Sequence, residues 1–156
     1  PNDPQRVQRA LEVIANSGER MSELQAKAPG DSLDYRLHKI IISPEPLSVL
    51  HARIEQRFDL MMGQGFLDEV KPLFSSGKLN ESMPSMRCVG YRQAWAHLAG
   101  EYDRVEMRLR AIYATRQLAK RQITWLRRES DAVWYDPSRS SALDLMITEV
   151  TNFLEK

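Results

Sequence analysis

The sequence predicts a mainly α-helical chain with two short strands, and three observations lead there. Apolar residues recur at the 3.6-residue helical period through most of the chain, longest from about Tyr102 or Asp103 to Glu129. Asp-Pro, Gly and Ser-Pro junctions punctuate those runs where helices start and stop. Only Leu37–Ile42 and Ala132–Tyr135 are short, dense and apolar enough to read as strands.

The 156 residues are 42% apolar and 28% charged, the composition of one globular domain with a core of its own. No run approaches the ~18 apolar residues of a membrane span, so no membrane partner is expected. The net charge is only +1. Any nucleic-acid footprint must therefore be local, and one region qualifies. Ala111–Arg128 carries five cations and no acid, whereas Ala142–Lys156 carries three acids and one lysine. The single cysteine, Cys88, excludes an internal disulfide framework and a cysteine metal cluster, and it fits a reducing cytoplasm. His38, His51 and His97 lack ligand spacing and read as surface or packing residues. The chain opens on Pro1, without methionine, directly before a helix start, and is expected to be part of something longer.

In chain order, Asn2-Asp3-Pro4 sets Asp3 as N-cap and Pro4 at the first helical position, and Gly18 closes the helix. Gln5, Arg6 and Arg9 crowd its first turns, where the helix dipole disfavours cations unless something anionic compensates. A second helix, Ser22 to Ala28 with Ser22 as a possible cap, precedes the break at Pro29-Gly30-Asp31-Ser32. The two read as a hairpin. Leu37–Ile42 reads as a strand buried on both faces, as in a parallel sheet. Pro46 can open a helix over Leu47–Met62, with Leu50, Ile54, Phe58 and Met61 on one face, ended by Gly63 and Gly65. Phe66–Ser75 is another, with Val70 and Leu73 inward and Pro72 expected to kink or shorten it.

A loop over Asn80–Pro84 leads into Ser85–Gln93 and a helix through Trp95 and Leu98 to Gly100. Here Gly90-Tyr91 stands between Arg87 and Arg92. Gly90 allows close approach of a backbone or ligand, and an exposed Tyr91 could stack on a base; alternatively Gly90 turns the chain and Tyr91 packs. The last helix runs from Ser140 or Ser141 to Leu154, with Leu143, Met146, Ile147, Val150 and Phe153 as its apolar stripe. Two lone strands do not make a stable sheet, so both are expected to join strands outside this sequence.

The long helix organises the chain. Val105, Ile112, Ala119, Ile123 and Leu126 share one stripe; Tyr113, Arg116, Lys120, Thr124 and Arg127 share the next, widened by Gln117, Arg121 and Arg128. Ala111, Ala114, Leu118 and Trp125 form a further apolar strip. The pattern predicts a helix wedged between neighbours, with Trp125 packed and only a basic face free. That face is either solvated, at a helix end where the dipole favours cations, or in contact with phosphates. No G-x-x-x-x-G-K-[ST] or G-x-G-x-x-G loop occurs, and no Ser/His/Asp or Cys/His constellation can be assembled.

Three segments, NDPQRVQRALEV (2–13), SMRCVGYRQAW (85–95) and ATRQLAKRQITWLRR (114–128), resemble signatures of the bacterial tRNA dimethylallyltransferases, or tRNA isopentenyltransferases. They occur in the family's order and spacing, and PEPLSVLHARIEQRFDLMMGQGFLDEV (44–70) is similar to its connecting helices. The resemblance implies an α/β P-loop NTPase-like core with a helical insertion, of which this is the C-terminal half. Residues 1–35 would belong to the insertion and 36–156 to the closing portion of the core. It implies transfer of a dimethylallyl group from dimethylallyl diphosphate to N6 of the adenosine 3′ of the anticodon. Magnesium is implied as cofactor, with the phosphate loop, the aspartate base and the metal ligands outside this chain.

Contacts to the tRNA anticodon stem-loop carry over onto Gln5, Arg6, Val7, Gln8 and Arg9, and onto Arg87, Cys88, Val89, Gly90, Tyr91 and Arg92. They carry over also onto Lys120, Arg121, Gln122, Ile123, Thr124, Trp125, Leu126 and Arg127. Arg87 or Arg92 could instead clamp diphosphate. No residue here is placed as the catalytic base, and the protein is expected to be a cytoplasmic monomer. A non-catalytic helical RNA-binding module, or a scaffold meeting an acidic protein, remains the alternative.

Overall fold

The computed structural model describes residues 3–27 and 35–155. The chain divides into two compact units, Pro1–Leu37 and His38–Lys156. In the first, α1 (Pro4–Ser17) starts as its sequence dictates: the Asp3 carboxylate accepts from the N–H groups of Gln5 and Arg6 at 3.1 and 3.2 Å. Gly18 ends it in the left-handed region, its N–H bonded to the Ile14 carbonyl. The following helix, α2 (Met21–Lys27), begins one residue early. Glu23 accepts from the Arg20 N–H at 3.1 Å, so Arg20, and not Ser22, occupies the capping position. The expected end at Ala28, the Pro29–Ser32 break and Asn2 lie outside the described residues.

The second unit centres on α6 (Arg104–Leu126), capped by Asp103, whose carboxylate accepts from the Glu106 N–H at 2.8 Å. Around it pack α3 (Leu47–Gly63), α4 (Phe66–Ser75) and α5 (Tyr91–Leu98). The core gathers Phe58 from α3, Phe66 and Val70 from α4, Ala94 from α5, and Met107, Ala111 and Ile112 from α6. Pro72 sits inside α4 without shortening it. Pro46 lies one position before α3 and is its N-cap. A 3-10 turn over Pro84–Arg87 replaces part of the expected loop, and α6 ends at Leu126, three residues before Glu129.

The strands β1 (Lys39–Ile42) and β2 (Ala132–Tyr135) form a two-stranded parallel pair, Ile40 opposite Val133 and Ile41 opposite Trp134. Lys39 anchors it, its ammonium donating to Glu129 at 2.6 Å and Asp131 at 3.1 Å. The expectation of burial on both faces fails. Ile41 is buried, but on the opposite face Ile40 is only half-buried and Ile42 is 57% exposed. The C-terminal helix α7 (Ala142–Leu154) also departs from expectation. It meets its unit along Ala142, Met146 and Phe153, where His38 stacks on Phe153 at 5.2 Å, while Leu143, Ile147 and Val150 stay exposed.

Candidate nucleic-acid interface

The site begins with α6, whose two ends differ. On its first four turns three of the four cations pair with acids, and only Arg104, at the opening turn, is exposed without an ion pair to a described residue. Arg108 grips Asp59 through two bonds of 2.6 Å and Glu55 through one of 2.8 Å, and Arg110 donates to Glu106 at 2.8 Å. Arg116 reaches Glu55 at 3.1 Å. It therefore belongs with this network and is corrected from the free basic face: α3 lies opposite it and supplies the acid. Beyond Ala119, which is buried, the helix projects from the core. Lys120, Arg121, Arg127 and Arg128 are exposed, and none makes an ion pair or side-chain hydrogen bond with any described residue.

Trp125 is a second correction. It is 72% exposed, not packed, since among the described residues no element covers the strip that Leu118 and Trp125 share past the core. Val105, expected on the buried stripe, is also exposed at the other end of the helix. Gln122 and Thr124 are exposed; Ile123 and Leu126 are half-buried and hold this end of α6 to its unit.

Lys120, Ile123, Thr124 and Arg127 form one wall of an open cleft of about 700 Å³. The opposite wall is Ser43–Leu47, which follows β1, and Trp134 and Arg139 come from the end of β2 and the loop after it. The cleft therefore lies at the carboxyl ends of two parallel strands, where open α/β sheets hold ligands. Asp136 orders the loop bearing Arg139: its carboxylate accepts from the Ser138 N–H at 2.9 Å and hydroxyl at 2.7 Å. Those bonds hold the Asp136 carboxyl below its ordinary range. Arg139 and Trp134 escaped the sequence reading. The signal that finds Arg139 is the rule that loops following parallel strands line the crevice, applied to the residues after Ala132–Tyr135.

The second predicted segment lies elsewhere on this unit. Arg87 and Arg92 are exposed and share a cleft of about 580 Å³ with Ser82, Ala96 and two acids, Glu81 and Glu101. Cys88 is exposed and Val89 half-buried between them. Tyr91 is not a free stacking platform: its ring packs edge-on against Phe66 at 5.6 Å and its hydroxyl donates to Glu69. That bond, with burial behind it, raises the Tyr91 pKa and keeps the phenol protonated. Gly90 is buried, with φ +95° and ψ −64°. A Cβ there would meet Phe66 only at ordinary contact distance, 3.5 Å, so glycine is required by the backbone angle and not by a close approach. The exposed aromatic beside Arg92 is Tyr113, which lines the adjoining groove with Arg110.

In the first unit, Gln5, Arg6, Val7, Gln8 and Arg9 are all exposed on the opening turns of α1. The compensation for their charge is local: Arg6 lies 3.4 Å from Asp3 and Arg9 3.4 Å from Glu12. Such exposed pairs hold their partners weakly, about 0–1 kcal/mol, and leave the arginines available to a stronger anion.

The sequence profile of the IPP transferase family matches residues 1–129. The chain belongs to that family. A tRNA dimethylallyltransferase of Coxiella burnetii (strain CbuG_Q212) is 49% identical over 155 residues, 99% of this chain and 50% of its own length. The crystal structure of a tRNA isopentenylpyrophosphate transferase from Bacillus halodurans superposes with a TM-score of 0.67 at 30% identity, covering 99% of this chain and 45% of that one. The corresponding enzyme from Staphylococcus epidermidis gives 0.66 at 29%, with 99% and 50% covered. This IPP transferase chain thus spans about half the length of the relatives it matches. Among its described residues, no group of three or more His, Cys, Asp or Glu could hold a metal ion, and no helix is long and apolar enough to cross a membrane.

Proposed function

We propose that this chain is the C-terminal, tRNA-gripping half of a transferase that moves a dimethylallyl group from dimethylallyl diphosphate to N6 of the adenosine 3′ of the anticodon. The observation that carries the reading is the run of four exposed, unpaired cations at the end of α6, Lys120, Arg121, Arg127 and Arg128. An exposed helix end of one sign, in a helix where Arg108, Arg110 and Arg116 are paired with acids, suits a polyanion. The tRNA for which the relatives are named is one.

In this reading residues 1–35 belong to a helical insertion and 36–156 close a P-loop-type core. Three surfaces grip the anticodon stem-loop: the opening turns of α1, the Arg87–Arg92 segment and the end of α6. Phosphate contacts there position the RNA without reading its sequence. Bond formation joins adenine N6 to the allylic carbon as the carbon–oxygen bond to diphosphate breaks, and the N6 proton passes to a base. Cations stabilise the departing diphosphate, and Arg87 or Arg92 could contribute there. Magnesium and a nucleotide-binding phosphate loop are part of the proposed whole, but the described residues supply no metal ligand set, so no step runs through them. The whole is proposed to act as a cytoplasmic monomer.

The test compares prenyl transfer to tRNA by the full-length protein and by the 156-residue chain. The full-length protein is expected to transfer the group and the isolated chain not to. Transfer by the isolated chain overturns the placement of the chemistry outside it; a full-length protein that neither transfers nor binds tRNA overturns the function.

A further inference from the structure

The cleft at the strand ends contains more than the helix face that the tRNA reading uses. Arg139 enters it from the loop after β2, facing the side bounded by Lys120 and Arg127. None of these three cations makes an ion pair with a described residue, and Glu45 is the only carboxylate among the cleft's lining residues. The Arg87–Arg92 cleft, by contrast, balances two arginines with two acids. Three cations against one lining carboxylate, with Asp136 acting on Arg139 from the same loop, leave the crevice net positive and suited to an anion. The rest of the lining is mixed: Trp134, Ile123 and Leu47 are apolar, and Ser43 and Thr124 carry hydroxyls. A volume of about 700 Å³ is ample for a single nucleotide unit.

We propose that Arg139, with Lys120 and Arg127, forms a subsite for one phosphodiester of the bound RNA, with Trp134 against the sugar or base next to it. Arg139 is then a binding residue outside the three signature segments, and the subsite joins the helix end to the strand ends. Its location matches the general preference for ligands at the carboxyl edge of parallel strands. The Asp136–Ser138 turn supplies preorganisation, fixing the backbone from which the arginine extends. Glu45 opposes the phosphate and weakens its binding.

The inference rests on the proposed tRNA function, and its test separates the two. Full-length protein is titrated with a synthetic anticodon stem-loop RNA at several salt concentrations, as parent, Arg139→Ala and Glu45→Gln. Inhibition by inorganic pyrophosphate and the KM for dimethylallyl diphosphate are measured alongside. Arg139→Ala is expected to flatten the log–log salt slope by about 0.7–0.9, the release from one phosphate contact, and to leave both diphosphate measurements unchanged. Glu45→Gln is expected to tighten RNA binding, a gain that a damaged fold does not produce. An RNA slope and affinity unchanged in both variants overturn the inference while leaving the function standing. A raised KM for dimethylallyl diphosphate and weaker pyrophosphate inhibition in Arg139→Ala, with the RNA slope unchanged, also overturn it, since the cleft then serves the diphosphate. A parent that does not bind the RNA overturns the function itself.

Discussion

The first four turns of α6 and its last two are built from similar residues and do different things. Upstream, Arg108, Arg110 and Arg116 meet Asp59, Glu106 and Glu55, while Met107, Ala111 and Ile112 fill the core between α3, α4 and α5. Downstream, Lys120, Arg121, Arg127 and Arg128 meet no carboxylate, and Trp125 lies in the open. Helix propensity does not separate the two ends. What separates them is the opposite surface: α3 presents Glu55 and Asp59 in ion-pair contact with one, whereas an open cleft separates the other from Ser43–Leu47, Trp134 and Arg139. A cation's role here is thus fixed by what packs across from it. A basic run in sequence has to be divided by its neighbours before it can be read as a binding face.

The largest expected effect sharpens the comparison on the apolar side. Met107 is fully buried, and Met107→Ala should cost about 2–5 kcal/mol of stability through lost packing and a residual cavity. Trp125→Ala, at an exposed position, should change stability by no more than about 0.5 kcal/mol. Denaturant melts of the full-length variants measure both. A Trp125→Ala loss as large as that of Met107→Ala would break the division of the helix.

A smaller effect concerns the paired end and pH. The hydrogen bonds from Arg108, followed by its charge, hold the Asp59 carboxyl below its ordinary value of 3.8. A depressed folded-state value means that the pair's stabilisation is fully present above 3.8 and is lost as pH falls through the folded value. Arg108→Ala should therefore lower the melting temperature at neutral pH and make the acid limb of stability shallower. Both groups are partly solvated, which keeps the effect modest. Equal acid limbs in parent and variant would remove the pair from the account of the upstream end.

Much of this was legible in the chain. Asp3, Pro4 and Gly18 fix α1 by local chemistry, and Phe66–Ser75 was bounded by glycines and serines at the residues where α4 starts and stops. The two strands were visible as short apolar runs, and their parallel pairing follows from the helices between them. What periodicity does not encode is where a partner surface ends. Trp125, Leu143, Ile147 and Val150 keep helical spacing with buried residues, yet lie beyond the reach of the elements described here. Tyr91 failed in the other direction. Its neighbours in sequence are two arginines, but its neighbours in space are Phe66 and Glu69, contributed by α4. Arg139 was missed because its significance depends on two strand ends meeting a helix face, which no local pattern records.

The account depends most on the claim that the unpaired end of α6 contacts RNA phosphates while the paired end does not. A salt titration of tRNA binding by the full-length protein tests it, with Lys120→Ala, Arg127→Ala and Arg108→Ala beside the parent. Lys120→Ala and Arg127→Ala should each flatten the log–log slope by somewhat under ~1 and weaken different tRNA substrates about alike, whereas Arg108→Ala should keep the parent slope. Parent slopes in both Lys120→Ala and Arg127→Ala would contradict the claim and leave that end of the helix merely solvated.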